Sequence, residues 1–280
     1  MNREEQLQWE ARWARPAAIA AFLAGALLIV SAMLFFPEDR EGIERHPDLL
    51  LSIDEQSGAY LASAVLGALA GLLLVGVFLY LFRATLARGG GVPPWFQYLV
   101  IAAPVLYAVS TVAGAFEAID LADDFASEEP IRGEKGADRA DELGGANPVL
   151  VALATAGTVG VAFLFVMLPL RARRVGLLTP FMGILGVIAG ALVVFQLTGV
   201  SSVIQAFWLG ALGLLFLGRW PGGRGPAWES GQPEPWPSAA QRRGLVPMPG
   251  EEEPAKLDPT PPEPEPVPER PASRKRRRKR

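Results

Sequence analysis

Six stretches of this chain carry no charged residue over 18–23 positions: Pro16–Phe36, Ala59–Leu81, Trp95–Phe116, Pro148–Leu170, Pro180–Leu197 and Val200–Leu217. A helix crossing a hydrocarbon layer of about 30 Å needs about 20 apolar residues. An ordinary water-soluble domain has no use for six such runs. The expected fold class is therefore all-α, a polytopic membrane protein with six transmembrane helices over residues 16–217. A cytoplasmic interfacial segment over residues 1–15 precedes it, and a Pro/Gly-rich tail over 218–280 follows. The fifth and sixth runs are short and nearly adjacent, which predicts a tight helical hairpin around Thr198–Ser202. The first run has a basic flank but no small-residue cleavage site, so it is expected to be a retained anchor rather than a signal peptide.

The charges lie between the runs, and their signs alternate. Arg3, Arg12 and Arg15 precede the first run, Arg83 and Arg88 follow the second, and Arg171, Arg173 and Arg174 follow the fourth. The tail adds 13 basic residues. The opposite loops hold five basic residues against 17 acidic ones, a net −12. Positive charge favours the cytoplasmic side, so both termini are expected there. Trp95, Tyr98, Tyr60, Tyr80 and Trp220 stand at run ends, where an aromatic belt would place them. Trp9 and Trp13 share a helical face with Arg12 nearby. That predicts a segment along the membrane surface before the chain turns inward.

Local signals mark the helix ends. Ser52 with Glu55 reads as a capping box ahead of the second run. Asn147-Pro148 and Thr179-Pro180 read as N-caps followed by Pro at the first helical position. Pro93-Pro94 opens the third run, and Pro104 inside it predicts a kink.

The absences are informative. The chain has no Cys and one His, His46. Disulfides, thiolate metal centres and multi-His sites are excluded, and no cofactor or metal ligand set is expected. His46 sits among acids with no nucleophile arrangement beside it. None of the six runs contains Asp, Glu, Lys, Arg or His. Proton relays and intramembrane carboxylate catalysis need such groups. A non-enzymatic role is therefore expected. Ser110, Thr111, Thr155, Thr158, Gln196 and Gln205 are the polar groups left for bonds between helices.

Small residues recur at four-residue spacing: Ser63, Gly67 and Gly71 on the second run, Gly186 and Gly190 on the fifth, Ala206 and Gly210 on the sixth. Such faces let helices approach closely within the bundle. A homo-oligomer built through them is the alternative. At the outer end of the third run, Glu117, Asp120 and Asp124 would share one face if the helix continues. A solvated acidic surface is the expected reading, since the required Ca²⁺-loop glycine is missing.

The tail has 15 prolines in 63 residues and cannot bury a core, which predicts disorder. It ends in Arg274, Lys275, Arg276, Arg277, Arg278, Lys279 and Arg280. Each such charge near an anionic leaflet contributes about 1 kcal/mol, so the cluster is expected to serve either as a plain topology or solubility device or in contact with the membrane surface. No aromatic interleaves the run, so specific nucleic-acid binding is not expected. A protein partner recruited through the tail is the other expectation.

The stretch from Arg174 to Gly186, the segment Gln205–Gly210 and the segment Gly218–Gly231 resemble a family of multi-pass membrane proteins of high-GC Gram-positive bacteria to which no activity is assigned. The likeness is strongest over residues 171–238. It implies a bacterial plasma membrane protein and transfers no site residue. It also singles out residues 218–231 as an ordered element at the inner surface, docking on the membrane or on a partner. The expected function is a structural or accessory membrane protein whose tail contacts partners or the inner leaflet. The alternative is a small carrier or lipid-binding protein for a neutral or apolar solute, with a cavity near Pro104.

Overall fold

Each uncharged run is helical over its described residues apart from Phe35, Trp95 and Leu217 at run ends, the arrangement by which a backbone away from water satisfies its own hydrogen bonds. The computed structural model describes residues 2–35, 46–127, 147–195, 200–221 and 223–236, with 136, 138 and 143. Among the described residues the elements are α1 (Arg3–Leu34), α2 (His46–Glu55), α3 (Ser57–Ala87), α4 (Phe96–Ala126), α5 (Pro148–Arg174), α6 (Pro180–Phe195), α7 (Val200–Phe216) and α8 (Pro226–Ser230). No strand occurs among them. Four helices, α1, α3, α4 and α5, are long and apolar enough to cross a membrane. The apolar helices α6 and α7 are shorter, at 16 and 17 residues.

The long helices pack in a ring. α1 lies against α3, α3 against α4, α4 against α5, α5 against α6, α6 against α7, and α7 returns to α1. Lipid offers no hydrophobic incentive for this association, so close backbone approach must supply it. Glycines mark the seams. A Cβ on Gly157 of α5 would lie 2.6 Å from the Tyr107 nitrogen of α4. Gly25 of α1 meets the Ala206 backbone of α7. Gly71 faces Tyr107, while Gly186 and Gly190 of α6 face Pro169 and Ala162 of α5. Ser63 and Ser31 exchange hydroxyl-to-carbonyl bonds of 2.9 Å between α3 and α1, and Gly67 stands beside Ser31. The small-residue faces of α3 and α6 are thus occupied inside the bundle. A Cβ on Gly210 would meet no neighbouring helix within 4 Å.

The helix ends follow local chemistry, with one correction. Asn147 accepts from the Val149 amide ahead of Pro148, and Thr179 Oγ1 accepts from the Met182 amide. Ser52 is not a cap: it lies inside α2 and donates to the Asp48 carbonyl. α3 instead starts after Gln56, which makes no side-chain cap bond. Asn2 and Glu5 form an actual capping box on α1. Of the expected hairpin turn, Thr198 and Gly199 lie outside the described residues, and Val200 to Ser202 belong to α7.

A second correction concerns the N-terminus. Residues 3–15 do not turn along a surface; they continue straight into the first apolar run as one 32-residue helix through Pro16. At 1.5 Å per residue α1 is about 48 Å long, so its first turns project beyond a bilayer core. α3 projects alongside it. At the other end α4 runs past Phe116 to Ala126, as the acidic-face reading required. There Leu50 and Ile53 of α2 bury against Ala122 and Phe125 of α4. Glu117 accepts the Asn147 amide, which ties α4 to the start of α5.

Candidate functional site

The site is built where the projecting ends of α1 and α3 meet the chain that follows α7. Glu10 falls in the segment expected at the membrane surface, and Arg88 in the basic loop after the second run. The structure buries both: Arg88 Nη1 lies 2.6 Å from Glu10 Oε1, and the side chains are 0% and 2% exposed. The pair is bidentate, since Nη2 also donates to Oε2 at 3.0 Å. Arg88 completes its donors with the carbonyls of Ala227, at 2.8 Å from Nε, and Ala84, at 2.9 Å. Gln6 donates to Glu10 Oε1 at 2.8 Å. Every strong group of the pair therefore has a partner, the condition under which a buried charge pair is tolerated.

The lid over this pair is the segment 218–236. Gly218 (φ +72°) ends α7 in the left-handed conformation, with the Arg219 amide returning to the Leu214 carbonyl at 2.8 Å. That reversal is one glycine supports at no steric cost. The chain then crosses back over the end of the ring. Trp228 of α8 is 3% exposed, and its Nε1 donates to the Leu177 carbonyl at 2.9 Å. Tyr80 stacks on both Trp9 and Trp228, with centroids 5.6 and 5.7 Å apart. Its hydroxyl donates to the Glu10 carbonyl and accepts from Arg224 Nη2 at 2.9 Å. The guanidiniums of Arg88 and Arg224 lie 5.3 and 4.8 Å from the Trp228 ring centre, within cation–π range.

Two further contacts fasten the segment. The Glu234 amide reaches the Val175 carbonyl at 3.3 Å, and Gly231 packs on Arg3 and Leu7. Gly176 (φ +80°) lies under the Glu234 carbonyl, where any Cβ would collide. The segment thus clasps α1, α3 and the α5–α6 turn together. The compact unit runs to Trp236.

The expected positions fare unevenly. Tyr80 stands in the core, not in an interfacial belt, because its ring has two tryptophans to stack on; Trp95 and Tyr98 are exposed. Within residues 218–231, Trp228 and Arg224 turn inward onto the chain's own helices. Ser110 and Thr111 bond back to the Tyr107 carbonyl, and Thr155 to the Val151 carbonyl, rather than across helices. Trp208 supplies an interhelical bond instead, donating to the Met182 carbonyl at 3.0 Å. Arg274 to Arg280 lie outside the described residues, and His46 opens α2. The described residues contain no group of three or more His, Cys, Asp or Glu placed to hold a metal.

What this arrangement does chemically is lock. The Glu10 carboxylate is held by Arg88 and Gln6, and the Arg88 guanidinium by Glu10 and two backbone carbonyls. Comparison of the chain with family models, with curated proteins and with solved structures finds no match.

Proposed function

We propose that this chain is a six-span structural or accessory protein of the bacterial plasma membrane, with both termini in the cytoplasm, whose clasped inner end presents a basic tail to partners or to the anionic leaflet. The observation that carries this reading is the clasp. It fixes the chain at Trp236 on the same bundle end as Arg3, Arg83, Arg88, Arg171 and Arg224. Among the described residues the opposite end holds Asp48, Asp54, Glu55, Glu117, Asp120, Asp123 and Asp124. That polarity is the one expected for a basic cytoplasmic face. α6 and α7 would span about 24–26 Å, a shortfall that modest bilayer thinning accommodates.

The alternative, a small carrier or lipid-binding protein with a cavity beside Pro104, has less support. It needs α4 to border α6 and α7, whereas α4 packs on α2, α3 and α5. Beside Pro104 the α4–α5 seam closes to backbone contact at Gly157 and Gly160.

The test is a pull-down from native membranes in mild detergent, comparing the full chain with a version truncated after Ser238. That truncation leaves the clasp whole. A partner retained by the full chain alone, or more anionic lipid retained by it than by the truncated form, supports the reading. Equal recovery from both forms, or none from either, overturns it.

A further inference from the structure

A groove of about 550 Å³ opens beside the clasp, between the first turns of α1, the last turns of α3 and the chain after α8. Asn2, Arg3, Gln6 and Trp9 form one wall, Arg83 and Leu86 the second, and Gly231 with Gln232 the third. We propose that this groove binds the phosphate of an anionic headgroup, at a site separate from the tail's basic cluster. The source favoured is an inner-leaflet lipid, a choice that rests on the membrane orientation above.

The argument starts from charge. Arg3 and Arg83 come from different helices, and no carboxylate is paired with either among the described residues. Of the acids near Arg3 on α1, Glu10 is neutralised by Arg88, Glu5 accepts the Asn2 amide in the capping box, and Glu4 is exposed. Two guanidiniums are therefore left to face one groove. Their planar forks match the paired oxygens of a phosphate, as they do those of a carboxylate, and a lipid headgroup supplies the phosphate. Each is also held. The Arg83 guanidinium sits 5.4 Å from the Trp9 ring centre, within cation–π range. The Arg3 stem packs on Gly231, which adopts φ +68° and presents no side chain there. Held donors lose less entropy on binding.

Position and polarity complete the case. The volume falls within the usual range for small-molecule sites. Gln6, Asn2 and Gln232 add amides along the wall, suited to the glycerol or hydroxyl part of a headgroup. Trp13, one turn beyond Trp9 on α1, is 47% exposed, as an interfacial anchor should be. That places the groove at headgroup depth. Because Gly231 and Gln232 belong to the clasp, the groove has its third wall only when the clasp is docked.

The test uses the full chain in neutral detergent, titrated with phosphatidylglycerol or phosphatidylcholine of matched acyl chains and read by native mass spectrometry. Preference for phosphatidylglycerol is expected, and Arg3→Gln or Arg83→Gln should weaken it about tenfold or more. Arg83→Lys keeps the charge and loses the fork, so it should fall between. Thermal melts of each variant confirm folding. Arg171→Gln removes one charge at the same bundle end outside the groove and should bind as the parent does. Inorganic phosphate and glycerol 3-phosphate are titrated in parallel. If they bind with the same arginine dependence and compete with the lipid, the phosphate site stands and its source is soluble. Equal binding of both lipids, parental binding by the two glutamine variants, or equal loss in Arg171→Gln overturns the proposal. So does loss of the preference on truncation after Ser238, which would assign it to the tail; an unaltered preference beside a failed pull-down would instead sink the tail reading alone.

Discussion

Replacing Arg88 with Met strands a carboxylate in the interior of the clasp. Glu10 would keep only the Gln6 amide, and the Ala227 carbonyl would keep only the Gly231 amide. Removing one partner of a buried pair costs about 3–5 kcal/mol. Glu10→Leu strands the guanidinium and should cost the same range. Independent losses would sum to about 6–10 kcal/mol. The double variant buries no charge, and its remaining cost comes mainly from the Gln6 amide left without an acceptor, about 1–3 kcal/mol. It should therefore be no less stable than the worse single variant. At about 2–4 °C per kcal/mol, each single variant should melt about 6–20 °C below the parent. Thermal melts in one detergent, read by the tryptophan signal, give the three values. A double-variant loss equal to the sum of the singles would refute the reasoning, as would single losses below about 1 kcal/mol, the range of a solvent-screened surface pair.

Gly157→Ala should destabilise by about 1–3 kcal/mol, because its Cβ would press on the Tyr107 backbone; Gly114→Ala, open on its outer side, should gain up to about 1 kcal/mol in the same melts. Gly176→Ala combines a left-handed φ with a collision against Glu234, so it should release the clasp and expose Arg219 and Arg224 to protease. The Cys-free background permits single-cysteine mapping: an impermeant maleimide on intact cells should label Glu55→Cys and Ser127→Cys but not Asn2→Cys, and the reverse pattern would invert the proposed orientation.

Helix positions and the polarity of the bundle could be read from the chain because uncharged runs and flanking charges are local signals. Asn147-Pro148 and Thr179-Pro180 gave their caps for the same reason. Ser52 misled because a serine three residues before a glutamate is equally at home inside a helix, bonding back to Asp48. The ion pair was missed for a different reason. Glu10 and Arg88 are 78 positions apart, and each looks like an ordinary flank charge until the fold brings α1 beside α3. The unexplained density of tryptophan and arginine after Gly218 was the available clue: Trp228 and Arg224 supply stacking and hydrogen bonds that a surface segment would not need. Tyr80 shows the same limit, since a tyrosine at a run end reads as interfacial and only its two stacking partners make it core.

Limited trypsin digestion of the full chain, with cleavage sites mapped by mass spectrometry, tests the clasp most directly. Arg219 and Arg224 lie within it, and Arg242 and Arg243 lie beyond it. The expected result is early cleavage after Arg242 or Arg243, leaving a stable fragment that extends past Trp236. Cleavage at Arg219 or Arg224 at the same rate as at Arg243 would contradict a docked clasp, and with it the third wall of the groove and the platform from which the tail is presented.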